Sequence, residues 1–419
     1  HLRGLARVAV GPGAQLDDRD GGEVDEQDGP RDLQRPPQLG VAVMGASPLS
    51  PTLRYVVAEE APGKLVFTGT DGPWSITKTL TWDPNAKGLS PDLKLAERNP
   101  AGYEVHVAVT LTNTSAQTQS GELAIQAARA VDPSEEEAPS LFGSIGNQAA
   151  VLCKSGDSVR RHMPNEKEGT VLGCGGAPKN DFEEKGQIAY VGIDQQYFLT
   201  ALWPHGGATE GRCLLHTTNT ERRIQLLVPV TVAANSSVTK EFGAYLGPKD
   251  LEMLQTVGAT TGAAGAPTAS AVGLDGTVDF GMWAVICKAL LFFLRFFHNL
   301  LGNWGAAIIL LTVMVKVALL PLTHRAMVSA ESMKKLQPEM EKIKAKYPDD
   351  REKQQLEQMR LYQEAKVNPL GGCLPLLVQL PIWAALFTTL RTSYELYGEP
   401  FFGADRLPQL EARLAGKEF

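Results

Sequence analysis

The stretch Asn303 to Leu322 reads NWGAAIILLTVMVKVALLPL. From Trp304 onward it runs for 19 residues, nearly all apolar, with one full charge inside, Lys316. At about 1.5 Å per residue, such a helix spans roughly 28 Å, against about 30 Å of bilayer hydrocarbon. It is long enough to cross, and it carries an ammonium to a depth where lysine costs about 2.5–3.5 kcal/mol on insertion scales. A charge kept there usually faces protein or a water-filled cavity and serves the passage of something polar. The plainer reading is a lysine that snorkels to one interface.

The chain around this segment has 419 residues, enough for two or three domains. Its mean hydropathy of −0.13 is that of a soluble protein, yet the apolar residues crowd between Phe280 and Leu390. A formal net charge of −7 and the lack of a long basic run argue against nucleic-acid binding. The five cysteines form no CxxC pair and no zinc-ligand spacing. Cys153, Cys174 and Cys213 leave open either one disulfide or unpaired buried thiols. The first residue is His1 and no apolar leader follows it, so the reading expects a fragment or a non-native start.

Residues 1–40 are rich in Gly, Pro and charge without apolar periodicity, and are expected to be disordered or non-native. From 41 to 257 the pattern is that of strands. In 103–112, YEVHVAVTLT, the residues Tyr103, Val105, Val107, Val109 and Leu111 share one face, the period of a half-buried antiparallel strand. Similar runs at 75–82, 187–193, 197–203, 224–232 and 238–246, punctuated by turn clusters, predict a β-sandwich.

Chemistry is sparse in this region. His106, His162, His205 and His216 have no HxH or HExxH spacing and read as solvated or packed side chains. Gly143-Ser144-Ile145-Gly146 is no nucleophile elbow, and Gly173-Cys174-Gly175-Gly176 is a turn. The sequons at Asn113 and Asn235 occur often by chance, and the acidic run 135–137 reads as a solvated loop. Residues 258–278 are small and flexible, hence a linker.

Residues 279–302 are strongly apolar but place Lys288 and Arg295 on one face, which suits an interfacial amphipathic helix better than a crossing one. After the transmembrane helix at 303–323, residues 324–368 read as a helical hairpin that turns at Tyr347-Pro348-Asp349-Asp350, with Pro338 expected to kink or restart its first arm. Ten Lys/Arg against eight Asp/Glu lie between Thr323 and Pro369. The cations Arg325 and Lys366, next to the membrane ends, place the hairpin on the cytoplasmic side and the β-domain outside. Residues 369–392 form a second spanning candidate, broken by Pro375 and Pro381, with Gln379 as its one strong hydrogen-bonding side chain. Gln379 either faces a cavity shared with Lys316 or serves as helix-packing glue. Residues 393–419 read as an extracytoplasmic loop or non-native tail.

Asn303-Trp304-Gly305, Pro321-Leu322-Thr323, Leu336-Gln337-Pro338 and the run from Lys366 through Asn368-Pro369-Leu370-Gly371-Gly372-Cys373-Leu374-Pro375, followed by Gln379 and Pro381, resemble the YidC/Oxa/Alb family of membrane protein insertases. Tyr245 to Asp250 and Val278 to Gly281 are similar to the end of the periplasmic domain in its bacterial form. The resemblance implies an all-β periplasmic supersandwich followed by a helical insertase core with a mobile cytoplasmic hairpin, in the bacterial inner membrane. It implies insertion and folding of membrane proteins, alone or with the Sec translocon, and no covalent chemistry or cofactor. Partners are then nascent membrane proteins, the lipid bilayer, the Sec translocon and a ribosome, with no sequence recognition of nucleic acid.

By the same resemblance, a hydrophilic groove holds one cation that attracts polar outer segments of a substrate. Lys316 matches that position, and Thr312 and Gln379 match groove positions. Leu374, Pro375, Leu380 and Ile382 match the substrate-contacting side of the family's third helix. The family's cation is commonly arginine. A desolvated lysine can lose its proton where arginine does not, so Lys316 has to be hydrated or paired. The family's first transmembrane helix and the three spans expected beyond residue 403 are not in this sequence. Competing readings are a membrane-anchored β-sandwich binding module for a glycan or protein, and a channel or transporter subunit.

Overall fold

A computed structural model describes residues 39–45, 48–49, 53, 55–86, 100–131, 149–164, 166–167, 178–259, 272–347, 350–365 and 374–396. The acidic run, Cys174 and the stretch 366–373 lie outside them. The chain divides into two compact units, 1–278 and 279–419.

The first unit is a curled antiparallel half-barrel. Among the described residues its main sheet has thirteen strands: β1 (Gly40–Gly45), β2 (Val56–Ala61), β3 (Lys64–Asp71), β4 (Trp74–Thr81), β5 (Glu104–Asn113), β6 (Gln119–Ala130), β7 (Ala150–Ser155), β8 (Ser158–His162), β9 (Asp181–Asp194), β10 (Phe198–Pro204), β11 (Thr209–Thr217), β12 (Glu221–Val232) and β13 (Ser237–Pro248). They join as β1-β6-β12-β11-β9-β10-β13-β5-β4-β3-β2, with β7 paired to β9 and β8 to β7. Phe67 and Ile76 share a core with Leu123 and Ile224, from strands far apart on that path, because the sheet curls over its own face. This realises the expected supersandwich as one continuous sheet.

Strand β5 shows the predicted period of two: Val105, Val107, Val109 and Leu111 are buried and their neighbours are not. The next inward position is Asn113. Its amide donates to the carbonyls of Gln117 at 2.7 Å and Val232 at 3.1 Å, so this sequon asparagine is a buried structural group.

Alternation also carries a charge inside. Trp74, Ile76 and Leu80 of β4 are buried, and so is Lys78, only 1% exposed. Its Nζ donates to the Leu39 carbonyl at 3.1 Å and lies over the rings of Tyr55 and Phe67, 5.3 and 5.1 Å from their centroids. Burial pushes the Lys78 pKa down from 10.5 to about 8. Between those values the unfolded chain holds a proton that the folded chain has released, so stability rises with pH. The rise amounts to about 3 kcal/mol for such a shift. Urea unfolding at pH 7.5, 9 and 10 should show this slope, and Lys78→Met should flatten it.

Cys153 of β7 and Cys213 of β11 form a disulfide, 60 residues apart in sequence. It ties together two strands that flank β9. Closing a loop of that length contributes about 4 kcal/mol in the chain-entropy account. Replacing both cysteines with serine should lower the urea midpoint of the β-unit accordingly.

The expected linker at 258–278 is shorter than the composition suggested. Helix α1 (Leu251–Thr256) is capped by Asp250, whose carboxylate accepts from the backbone N–H groups of Glu252 and Met253. Leu254, Val257 and Leu274 are fully buried together with Tyr190 and Trp203. Arg161 then clips the segment's end, donating to the Thr277 carbonyl at 2.9 Å. Apolar burial at Leu274 outweighs the small-residue composition around it. Residues 272–278 therefore belong to the β-unit.

The second unit holds α2 (Ala284–Leu301), α3 (Trp304–Lys346), α4 (Arg351–Glu364) and α5 (Leu374–Thr392). Gly302 ends α2 in the left-handed region at φ 65°, and the Asn303 side chain caps α3 by accepting from the Ala306 N–H at 2.9 Å. Across this two-residue joint His298 stacks on Trp304 with ring centroids 3.9 Å apart.

Helix α3 runs through Pro338 without restarting there. It is one helix of 43 residues with Pro321 and Pro338 inside it. A proline removes one ladder bond, and strong helix formers (Met, Lys, Glu, Ala) on both sides of Pro338 carry the helix across it. Tyr362 of α4 reaches back, its hydroxyl 3.0 Å from the Met340 sulfur, which joins the two arms of the hairpin.

Candidate functional site

Among the described residues two segments are long and apolar enough to cross a membrane: Gly281–Leu301, with mean hydropathy 1.7, and Trp304–His324, with 2.3. Only 22% and 17% of these windows are buried, whereas the core helix of a soluble protein is mostly buried. At about 1.5 Å per residue α3 is roughly 65 Å long, twice the hydrocarbon thickness. Its first half can span while its second half projects into water.

Trp304, Ala307 and Leu311 are buried in the first turns of α3, beside the buried Gly305, and α3 packs on α2. Lys316 lies about 150° around the helix from them. It is exposed, among the exposed apolar residues Ile309, Val313, Val317 and Leu320. Thr312, one turn earlier, is also exposed, and its hydroxyl donates to the Ile308 carbonyl at 2.8 Å. Thr312 and Lys316 thus form a short polar strip on an otherwise apolar surface. Among the described residues Lys316 has no carboxylate partner.

On α5 the packed residues are Ala385 and Thr389. The Thr389 hydroxyl donates to the carbonyl of Ala385 at 2.8 Å, and the Cys287 thiol of α2 donates to that same carbonyl at 3.5 Å. Gln379 is exposed, on the flank of that packed face. Leu380 is exposed with Trp383 and Phe387, while Ile382 is half-buried. Two residues apart on a helix means about 200° of rotation, so Leu380 and Ile382 do not share one face. The side chains of Leu374 and Pro375 lie outside the described residues. Helix α2 packs against both α3 and α5, which also touch each other.

Arg295 carries a role the sequence did not suggest. Its Nε donates to a Glu395 carboxylate oxygen at 2.7 Å, and its Nη2 makes a second contact to the same oxygen. Glu395 is 4% exposed and follows α5 in a short 3₁₀ turn, Tyr394–Leu396. The expected pair of aligned free cations, Lys288 and Arg295, is therefore broken, since Arg295 is committed inward. An interfacial placement of α2 rested on that pair. No spacing rule joins residues a hundred positions apart, so the pairing had no sequence signal.

Elsewhere, Lys179, Asp181, Phe182, His216 and Arg223 line an open groove of about 520 Å³ along β9, β11 and β12. It is the surface that a binding-module reading would use.

A curled β-domain is followed by two segments long and apolar enough to cross a membrane and by a charged helical hairpin, the make-up of a membrane protein with a large β-domain. The family description "YidC periplasmic domain" matches residues 59–294, and "60Kd inner membrane protein" matches 296–414. The chain belongs to the YidC family. It is 34% identical over 384 residues to "Membrane protein insertase YidC" of Anaeromyxobacter sp., covering 90% of this chain and 61% of that protein. The protein of the same name from Pelobacter propionicus is 38% identical over 222 residues, covering 51% of this chain and 38% of its own length. The chain thus spans about three fifths of the length of the curated Anaeromyxobacter relatives it matches, 61% and 60%.

Among solved structures, "Active YidC insertase crystal structure with the first transmembrane domain resolved" overlaps 87% of this chain and 65% of its own at 21% identity and a TM-score of 0.29. A putative aldose 1-epimerase from Escherichia coli K12 overlaps 46% of this chain and 69% of its own at 8% identity and a TM-score of 0.30. Overlaps at these scores carry no inference about activity.

Proposed function

We propose that this chain is the greater part of a membrane protein insertase, and that Lys316 with Thr312 forms the polar strip along which a substrate's outer segment passes. The observation that carries this reading is an exposed ammonium, without a carboxylate partner among the described residues, in the middle of an apolar 21-residue segment of a YidC-family chain. The long-range pull of a cation on an acidic segment is strong where water is scarce, and a hydroxyl one turn away offers a hydrogen bond in passage. Gln379 and Leu380 supply polar and apolar contacts from α5, with Leu374 and Pro375 earlier on the same helix, while Ile382, turned about 200° from Leu380, falls outside this path.

The β-unit lies in the periplasm, and the hairpin of α3 and α4 in the cytoplasm. The Cys153–Cys213 disulfide supports the first placement, since disulfides persist in oxidising compartments. The excess of Lys/Arg near the hairpin's membrane ends supports the second. Substrates are nascent membrane proteins, handled alone or together with the Sec translocon and a ribosome, with a chaperone role in their folding.

The test is site-specific photo-crosslinking in the full-length protein during insertion of a single-span substrate. Probes at Thr312 and Leu380 should capture the substrate, and a probe at Val285 on α2 should not. Equal capture from all three positions would count against a defined path.

A further inference from the structure

Three side chains that the sequence scatters over 136 positions come together on the outward face of the β-unit. Val105 and Val107 of β5 are buried, so His106 between them points outward. Phe242 of β13 is buried, and its neighbour Glu241 points outward beside His106. His205 follows β10, and its backbone N–H donates to the Glu241 carbonyl at 2.9 Å, which fixes it to the same edge. The two imidazoles meet edge to face with centroids 5.2 Å apart. His106 Nε2 stands 3.6 Å from a Glu241 carboxylate oxygen. One ligand atom from each of the three lies within 4.8 Å of the others.

We propose that His106, His205 and Glu241 form a binding site for one zinc ion. Two imidazoles and a carboxylate are a ligand set for a borderline divalent metal, and a tetrahedral zinc places its ligand atoms about 3.4 Å apart. The His106–Glu241 separation is already close to this, and rotation of the exposed His205 ring closes the third corner. The floor of the site is rigid. Gly243 lies directly across from His106 in the sheet, and a Cβ there would stand 2.1 Å from the Trp203 indole, so that ring packs over the glycine between the ligands. Three protein ligands on an exposed edge leave the fourth position to water or to a donor from another molecule. A weak His106–Glu241 ion pair with a packed His205 is the competing account. It places the same side chains together without metal affinity.

Isothermal titration of zinc chloride into the chelator-treated full chain in detergent separates the two. One zinc per chain is expected, undisturbed by millimolar magnesium, a hard cation that prefers an all-oxygen shell. His106→Asn, His205→Asn and Glu241→Gln should each weaken binding at least 10-fold. His216→Asn, on β11 and paired with Asp181, should leave it unchanged. All four are surface positions, and Glu241→Gln keeps the side-chain shape, so unchanged circular dichroism is expected throughout. Absence of a stoichiometric site, or wild-type affinity in the three ligand variants, would overturn the proposal.

Discussion

Lys316→Ala in the full-length protein should reduce insertion of a substrate with an acidic outer segment by about 10- to 100-fold, whereas Lys316→Arg should insert at near the wild-type rate. The size follows from the interaction that is lost. A charge-assisted contact is worth about 1.5–3 kcal/mol, and each 1.4 kcal/mol is a tenfold change in rate. Lys316→Glu should fall below alanine, because it repels what lysine attracts. Misfolding is not expected to obscure the comparison, since the side chain is exposed. Insertion is read by protease protection of the substrate's outer segment. Thr312→Val, which removes one hydroxyl, should show a smaller loss in the same assay.

The second large effect belongs to stability. Arg295→Met should destabilise the helical unit by about 3–5 kcal/mol, because it takes the guanidinium away from a carboxylate that is buried. Glu395→Gln should cost less, since the amide still accepts a hydrogen bond from the guanidinium. The paired replacement Arg295→Met with Glu395→Leu should recover most of the loss, as buried ion pairs replaced by apolar residues of similar volume often do. Thermal unfolding in detergent, followed through the helical circular dichroism signal, gives the three values. A loss in Arg295→Met no larger than that of an exposed-residue control such as Lys288→Met would show that the pair does not hold α2 to the end of α5.

Local patterns in the sequence announced what depends on neighbours in sequence. The alternation from Val105 to Leu111 fixed a strand and its inner face, because the side chains of a strand must alternate. Lys316 stood out because a lone cation in 19 apolar residues is expensive. What was missed depends on distance. Neither the Arg295–Glu395 pair nor the gathering of His106, His205 and Glu241 has any spacing signature, since strand order and helix packing bring them together. The choice among Cys153, Cys174 and Cys213 was open for the same reason. At Pro338 the helix does not restart, because surrounding helix formers carry it across, and around Leu274 a buried leucine outweighs the small-residue composition.

The account turns on Lys316 acting through its charge on the substrate. The most direct measurement is a double-mutant cycle in reconstituted vesicles, pairing Lys316→Gln in the full-length protein with Asp→Asn changes in the outer segment of a single-span substrate. The account predicts strong coupling: either change alone slows insertion, and the second change adds little once the first is made. Independent, additive losses would contradict it, and would leave Lys316 as a lysine that merely reaches for an interface.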